Sequence, residues 1–137
     1  MKQNMLGASL KTCHWGYFDA TLPPAMTISS GDEVVIDTVS GGPQNLPGPG
    51  FHVPQELLDL HNAGPPTMPG HILTGPVAVQ GAMPGDVLQI DILDVSLRQD
   101  WGFNHFGPLT GTLPQDFPNV HHTVSYTHLR AHETVVY

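Results

Sequence analysis

A mainly β fold, built as a sandwich or barrel-like layer with long Pro/Gly-rich loops, is what this sequence predicts. Three observations predict it. Two segments alternate apolar and polar residues, Glu33 to Val39 and Val87 to Val95, and a Gly-Asp pair introduces each. Fifteen glycines and fourteen prolines punctuate a chain of 137 residues without any period. No long stretch carries a helical repeat of apolar residues. Strands separated by turns, with little helix between them, assemble as packed or closed sheets.

The elements follow in chain order. The stretch to Lys11 reads as irregular. Thr12 to Ala20 is rich in aromatic residues and reads as extended, and Leu22-Pro23-Pro24 breaks it. Ala25 to Ile28 leads into Ser29-Ser30-Gly31-Asp32, a strong turn signal because Gly accepts positive φ and Asp bonds its own backbone. Glu33 to Val39 follows as a strand, with Val34 and Ile36 on one face. Residues 41–70 hold too many prolines for a regular ladder. One short helix is expected inside them, with Pro54 in its first turn and Glu56, Leu57, Leu58 and Leu60 after it. A structured Pro/Gly-rich loop of this length often forms a lid or a site wall.

Beyond Gly75-Pro76, Val77 and Val79 mark a short strand. Pro84-Gly85-Asp86 turns the chain into Val87 to Val95, the clearest strand pattern in the sequence. There Leu88, Ile90 and Ile92 share one face, and Gln89 and Asp91 share the other. Gly31 to Asp37 and Gly85 to Asp91 echo each other. The reading adopted is that Gly-Asp turns simply start strands. Arg98 to Pro118 reads as loop.

From Val124 the texture changes. Val124 to Glu133 matches, residue by residue, the in-frame translation of a transposon-end sequencing adapter. Residues 1–123 are therefore expected to form the N-terminal part of a β domain, and 124–137 a non-native tail excluded from fold reasoning. His128 and His132 in that tail receive no function. The β domain is expected to be incomplete because truncated, and the chain alone to be marginally stable and inactive, since an unfinished sheet leaves an open edge.

Composition excludes several classes. Formal net charge is −8, with only four Lys and Arg. No basic stripe exists, so nucleic acid is not an expected partner. No apolar run approaches a membrane span, and none at the start resembles a signal peptide. Cys13 is the single cysteine, so no intramolecular disulfide forms. The reading is a cytoplasmic protein without membrane contact. No nucleophile elbow, phosphate loop or dinucleotide loop is present.

Nine histidines are many for this length. Neutral imidazole binds metals and exchanges protons near neutral pH. His71 precedes the Thr-Gly-Pro turn, where it is either a site residue or a turn histidine bonded to a backbone carbonyl. His14 lies in His-Trp-Gly-Tyr-Phe-Asp, as a ligand or as part of an aromatic edge strand. His52 and His61 read as solvated. Asp19 closes the aromatic segment as a site carboxylate or an ordinary strand-end acid. Cys13 beside His14 makes a poor thiolate pair, because neighbours on a strand point apart.

Several blocks together resemble the acetamidase/formamidase family: His14-Trp15-Gly16-Tyr17-Phe18-Asp19, Ser30-Gly31-Asp32, Ser40-Gly41-Gly42-Pro43 and the run from His71 to Val95, followed by Trp101-Gly102 and Gly111-Thr112-Leu113-Pro114. The most specific part is Leu73-Thr74-Gly75-Pro76-Val77 with Gly81-Ala82 and Pro84-Gly85-Asp86. The resemblance implies a mainly β amidohydrolase that cleaves short linear amides, such as formamide or acetamide, to ammonia and a carboxylate. It implies a divalent metal such as zinc that activates water, and a homo-oligomer at full length. On it, His71 and His14 are the expected metal ligands, Asp19 the catalytic carboxylate, and Gly75 and Pro76 the residues against the substrate. Family members are longer than this chain, so further site residues are expected outside it. A second reading is a non-catalytic β module that binds a metal or small ligand.

Overall fold

A computed structural model describes residues 4–66, 68–126 and 134–136, with side chains described to His121. The chain divides into two compact units. The first comprises residues 1–44 and 54–95, the second residues 45–53 and 96–137. Both are built mainly from strands. Among the described residues, none of the sheets closes into a barrel.

In the first unit, six three-residue strands form three two-stranded ladders. β1 (Asn4–Leu6) pairs parallel with β4 (Val34–Ile36). β2 (Cys13–Trp15) pairs antiparallel with β5 (Ile72–Thr74). β3 (Met26–Ile28) pairs parallel with β6 (Val77–Val79). The first half of the unit thus pairs strand for strand with the second half: β2 with β5, then β3 with β6. Backbone bonds extend these ladders. Gly16 N donates to His71 O at 2.9 Å, Gly75 N to Thr12 O at 2.8 Å, and Ala25 N to Pro76 O at 2.8 Å.

The expected helix is present as α1 (Gln55–Asn62). Pro54 stands at its N-cap, where a missing N–H costs nothing. Glu56 in the first turn opposes the helix dipole favourably. Leu57 and Leu60, at helical spacing, are 0% and 4% exposed. With Leu6, Ala8, Val39 and Ile72 they make the core of this unit. Burying one such leucine contributes about 1.5–3 kcal/mol.

Both Gly-Asp turns form, and they are the same turn. Ser29 N donates to Asp32 Oδ2 at 2.9 Å, and Asp32 N to Ser29 O at 3.1 Å. Met83 N donates to Asp86 Oδ2 at 2.8 Å, and Asp86 N to Met83 O at 3.0 Å. Gly31 and Gly85 take φ of 86° and 103°, which a side chain would resist.

Four expectations need correction. The start of the chain is not irregular, because β1 gains its ladder from β4. Residues 33–39 shorten to the three residues that β1 pairs. Residues 98–118 are not all loop, since they contain β7. The largest difference lies at Val87 to Val95, which forms no ladder. No turn or bend interrupts it, yet among the described residues no strand pairs with it. A strand is defined by its partner's hydrogen bonds as much as by its own side chains. Its apolar residues stay exposed, including Leu88 at 63%, Ile90 at 74% and Ile92 at 80%.

The second unit holds a three-stranded antiparallel sheet. β7 (Trp101–Phe106) pairs with β8 (His121–Tyr126), and β8 with β9 (Thr134–Val136). The β7–β8 ladder runs through Val124 to Tyr126 without a break at the expected tail boundary. His128 and His132 lie outside the described residues. Trp101, 3% exposed, anchors the unit, with its indole Nε1 donating to His52 O at 2.9 Å.

Leu57 tests the core of the first unit. Leu57→Ala is expected to cost about 2–5 kcal/mol, because it opens a cavity where nothing else reaches. Chemical denaturation with and without the substitution measures this. A loss under about 1 kcal/mol would show that α1 is not packed as described.

Candidate functional site

The site grows from the β2–β5 ladder. Its register sets His14 opposite Leu73 and Trp15 opposite Ile72. The Gly16–His71 backbone bond continues that register by one residue. Residues directly opposite share a face, and so do residues two apart on one strand. His14, Leu73 and His71 therefore occupy one face, with His14 and His71 as diagonal neighbours. Diagonal Cα atoms in such a ladder lie about 7–8 Å apart, within reach of two imidazoles. Cys13, Thr74, Trp15 and Ile72 take the other face.

Glycine makes the end of this ladder possible. Gly16 has φ of 75°, and a Cβ there would lie 2.6 Å from Pro69 O and 2.7 Å from Met68 O. The chain between α1 and β5 thus passes directly over Gly16. Only a residue without a side chain permits that approach.

His14 is half-buried, and its Nε2 lies 3.1 Å from Tyr17 O. A carbonyl only accepts, so Nε2 carries the proton. The Nδ1 lone pair is left for a proton or a cation. The Tyr17 ring meets the imidazole edge-on, with centroids 5.3 Å apart. A carbonyl tether on one nitrogen fixes the orientation of the imidazole and leaves the other nitrogen exposed to a partner. His71 is exposed, and its backbone carbonyl is held by Gly16.

Asp19 lies outside the ladder and is fully exposed. Its Oδ1 accepts from Thr21 N and from Thr21 Oγ1, both at 2.7 Å. The Thr21 hydroxyl, and then the Thr21 amide, hold its carboxyl below the usual range. Asp19 is therefore ionised at neutral pH. Because folding lowers this pKa, the associated stability is present above the unfolded carboxyl's range. It is lost as pH falls through the folded value.

Gly75 and Pro76 serve the framework. Gly75 is buried, its N–H bound by Thr12 O, while Pro76 O holds Ala25 N. The peptide between them is cis. Their polar groups tie β2 and β3 to the second half of the unit. Cys13 turns away from His14, with its Sγ 3.4 Å from Thr74 Oγ1.

His61 was expected to be solvated and is not. It is half-buried, its Nε2 lies 2.9 Å from Gly41 O, and its ring stacks on Trp15 with centroids 6.4 Å apart. Its Nδ1 is buried without a partner among the described residues. The available signal was its place on α1 one residue beyond buried Leu60. His52 is exposed, as expected. It borders a shallow hollow of about 360 Å³ with Leu97, Arg98, Gln99 and Asp100, in the second unit, which none of the expected site residues lines.

A catalytic zinc needs three protein ligands. Among the described residues, no group of three His, Cys, Asp or Glu side chains is placed to hold a metal ion. Two imidazoles on one face do not make a metal centre by themselves. No helix among the described residues is long and apolar enough to cross a membrane.

Comparison with known proteins places this ladder in context. The acetamidase/formamidase family matches residues 10–134. The chain belongs to the acetamidase/formamidase family. A formamidase from Methylophilus methylotrophus is 56% identical over 36 residues, which are 25% of this chain and 9% of that protein. The chain's match covers about a tenth of that relative's length. No solved structure matches it.

Two substitutions test this geometry. Thr21→Val removes the hydroxyl and should raise the Asp19 pKa, read by carbon NMR titration of its carboxyl. An unchanged titration would mean that Thr21 does not hold Asp19. Gly16→Ala forces a strained φ and a backbone clash, and should destabilise by about 1–3 kcal/mol. A neutral effect in denaturation would contradict the crossing of residues 68–70 over Gly16.

Proposed function

We propose that this chain contributes to an amidohydrolase for short linear amides of the formamide and acetamide class, with His14 and His71 at its reacting face. The family match over residues 10–134 carries this reading, and the stretch shared with a formamidase supports it. An amide is a poor electrophile, and its nitrogen leaves only when protonated. Hydrolysis therefore needs a group that polarises the carbonyl and a group that moves protons.

His14 suits the second task. Its Nε2–H is tethered to Tyr17 O, so its Nδ1 presents a lone pair in a fixed direction. A proton gained at Nδ1 leaves an imidazolium whose Nε2–H still donates to that carbonyl. His71, exposed on the same face, supplies a second imidazole. Asp19 enters as a carboxylate, not as an acid, with Thr21 holding its pKa below the usual range. One of its oxygens already accepts twice from Thr21, which leaves Oδ2 for the reaction.

A divalent cation such as zinc would polarise the amide carbonyl and acidify water. It belongs to this reading only with ligands beyond His14 and His71. The 137 residues alone are accordingly expected to be inactive. The product extended to the relative's length is expected to be a cytoplasmic homo-oligomer.

The test is ammonia release from formamide, acetamide and longer amides, measured on the chain and on the longest product of its gene. The longer product is expected to turn over, and His14→Ala or His71→Ala to lower kcat/KM about 100-fold or more. No ammonia from the longer product would remove the amidase reading and favour a binding module. Full activity in both variants would remove these histidines from the site.

A further inference from the structure

The segment Val87 to Leu93 is an extended run without a strand partner among the described residues, and its own residues show what fits it. Val87, Leu88, Ile90, Ile92 and Leu93 make no hydrogen bond among the described residues, and each is 63% exposed or more. The polar face is already closed on itself. Gln89 Nε2 donates to Asp91 Oδ1 at 3.1 Å and to Oδ2 at 3.4 Å. That i to i+2 contact is the spacing of one strand face. The equivalent segment in the first half of the unit, β4, is fed by the same Asp-capped turn. It becomes a strand because β1 supplies its ladder.

The run reads almost the same in both directions. About Ile90, Gln89 mirrors Asp91, Leu88 mirrors Ile92, and Val87 mirrors Leu93. We propose that Val87–Leu93 pairs antiparallel with the same segment of a second copy of this chain, centred on Ile90. This is an isologous contact, in which each residue faces its mirror residue. In this register every apolar residue from Val87 to Leu93 faces an apolar one. Each Gln89 faces the partner's Asp91, so two intrachain amide–carboxylate bonds become two bonds across the interface. Centring on Asp91 instead sets two carboxylates opposite each other. Centring on Ile92 sets Asp94 against Ile90. Beyond the run, Asp86 faces Asp94 at each solvated end, where the Asp86 carboxylate already holds Met83 N.

One seven-residue strand buries less than the standard interface of about 1,200–2,000 Å², so this contact belongs to the weak class. The test is sedimentation of the intact chain from micromolar to near-millimolar concentration, with two variants of opposite sign. The chain is expected to dimerise with rising concentration. Gln89→Asp sets carboxylates opposite each other twice and should weaken the dimer about tenfold. Gln89→Lys sets Lys opposite Asp twice and should tighten it. Gln89 is exposed, so neither variant puts folding at risk. A chain that stays monomeric throughout, whose run is then left for a strand of some longer family chain, overturns the proposal. So does a dimer that both variants leave unchanged.

Discussion

The constraint on which the first unit depends is the antiparallel pairing of β2 with β5. It joins residues 13–15 to residues 72–74 and is locked at both ends by backbone bonds, Gly16 to His71 and Gly75 to Thr12. Slipping this register by one residue would turn the side chains of one strand to the opposite face of the other's. His14 and His71 would then stand on opposite faces of the ladder. The pairing also carries β6 onto β3 through the short Gly75-Pro76 link, where Pro76 O receives Ala25 N. Gly75 and Pro76, two residues of the most specific family block, thus help hold the halves together through their backbone groups.

The two faces of this ladder have different work. On one, Trp15 stacks on His61 of α1, and Ile72 joins the leucines of that helix in the core. On the other, His14 and His71 stand as diagonal neighbours with a glycine opposite His71. The same strands supply packing on one side and titratable groups on the other. The unpaired nitrogen of His61 belongs to the packed side. His14 repeats the pattern on the other face, with its Nε2 set against a backbone carbonyl as well.

Some of this was legible in the sequence, and the reasons are local. Pro54 with Leu57 and Leu60 announces α1, because helical spacing and a tolerated first-turn proline act within one segment. The Asp-capped turns announce themselves because Asp32 and Asp86 bond backbone groups only three residues away. β1 did not, because Asn4-Met5-Leu6 has no alternation of its own and becomes a strand only against β4. The run from Val87 errs in the opposite direction: alternation reports which faces a strand would have and not whether a partner exists. His14 and His71 were each visible as candidates, but their shared face follows from a register that no local pattern encodes. His61 was misread because its burial comes from Trp15, far away in sequence.

The most direct measurement of the central pairing is amide hydrogen exchange at Gly16 and Gly75, read residue by residue by NMR. Both amides are predicted to exchange slowly and together, at rates set by the opening of the first unit as a whole. Fast exchange at both, at the rate of unprotected loop amides such as Gly48 and Gly50, would contradict the β2–β5 ladder and the shared face built on it.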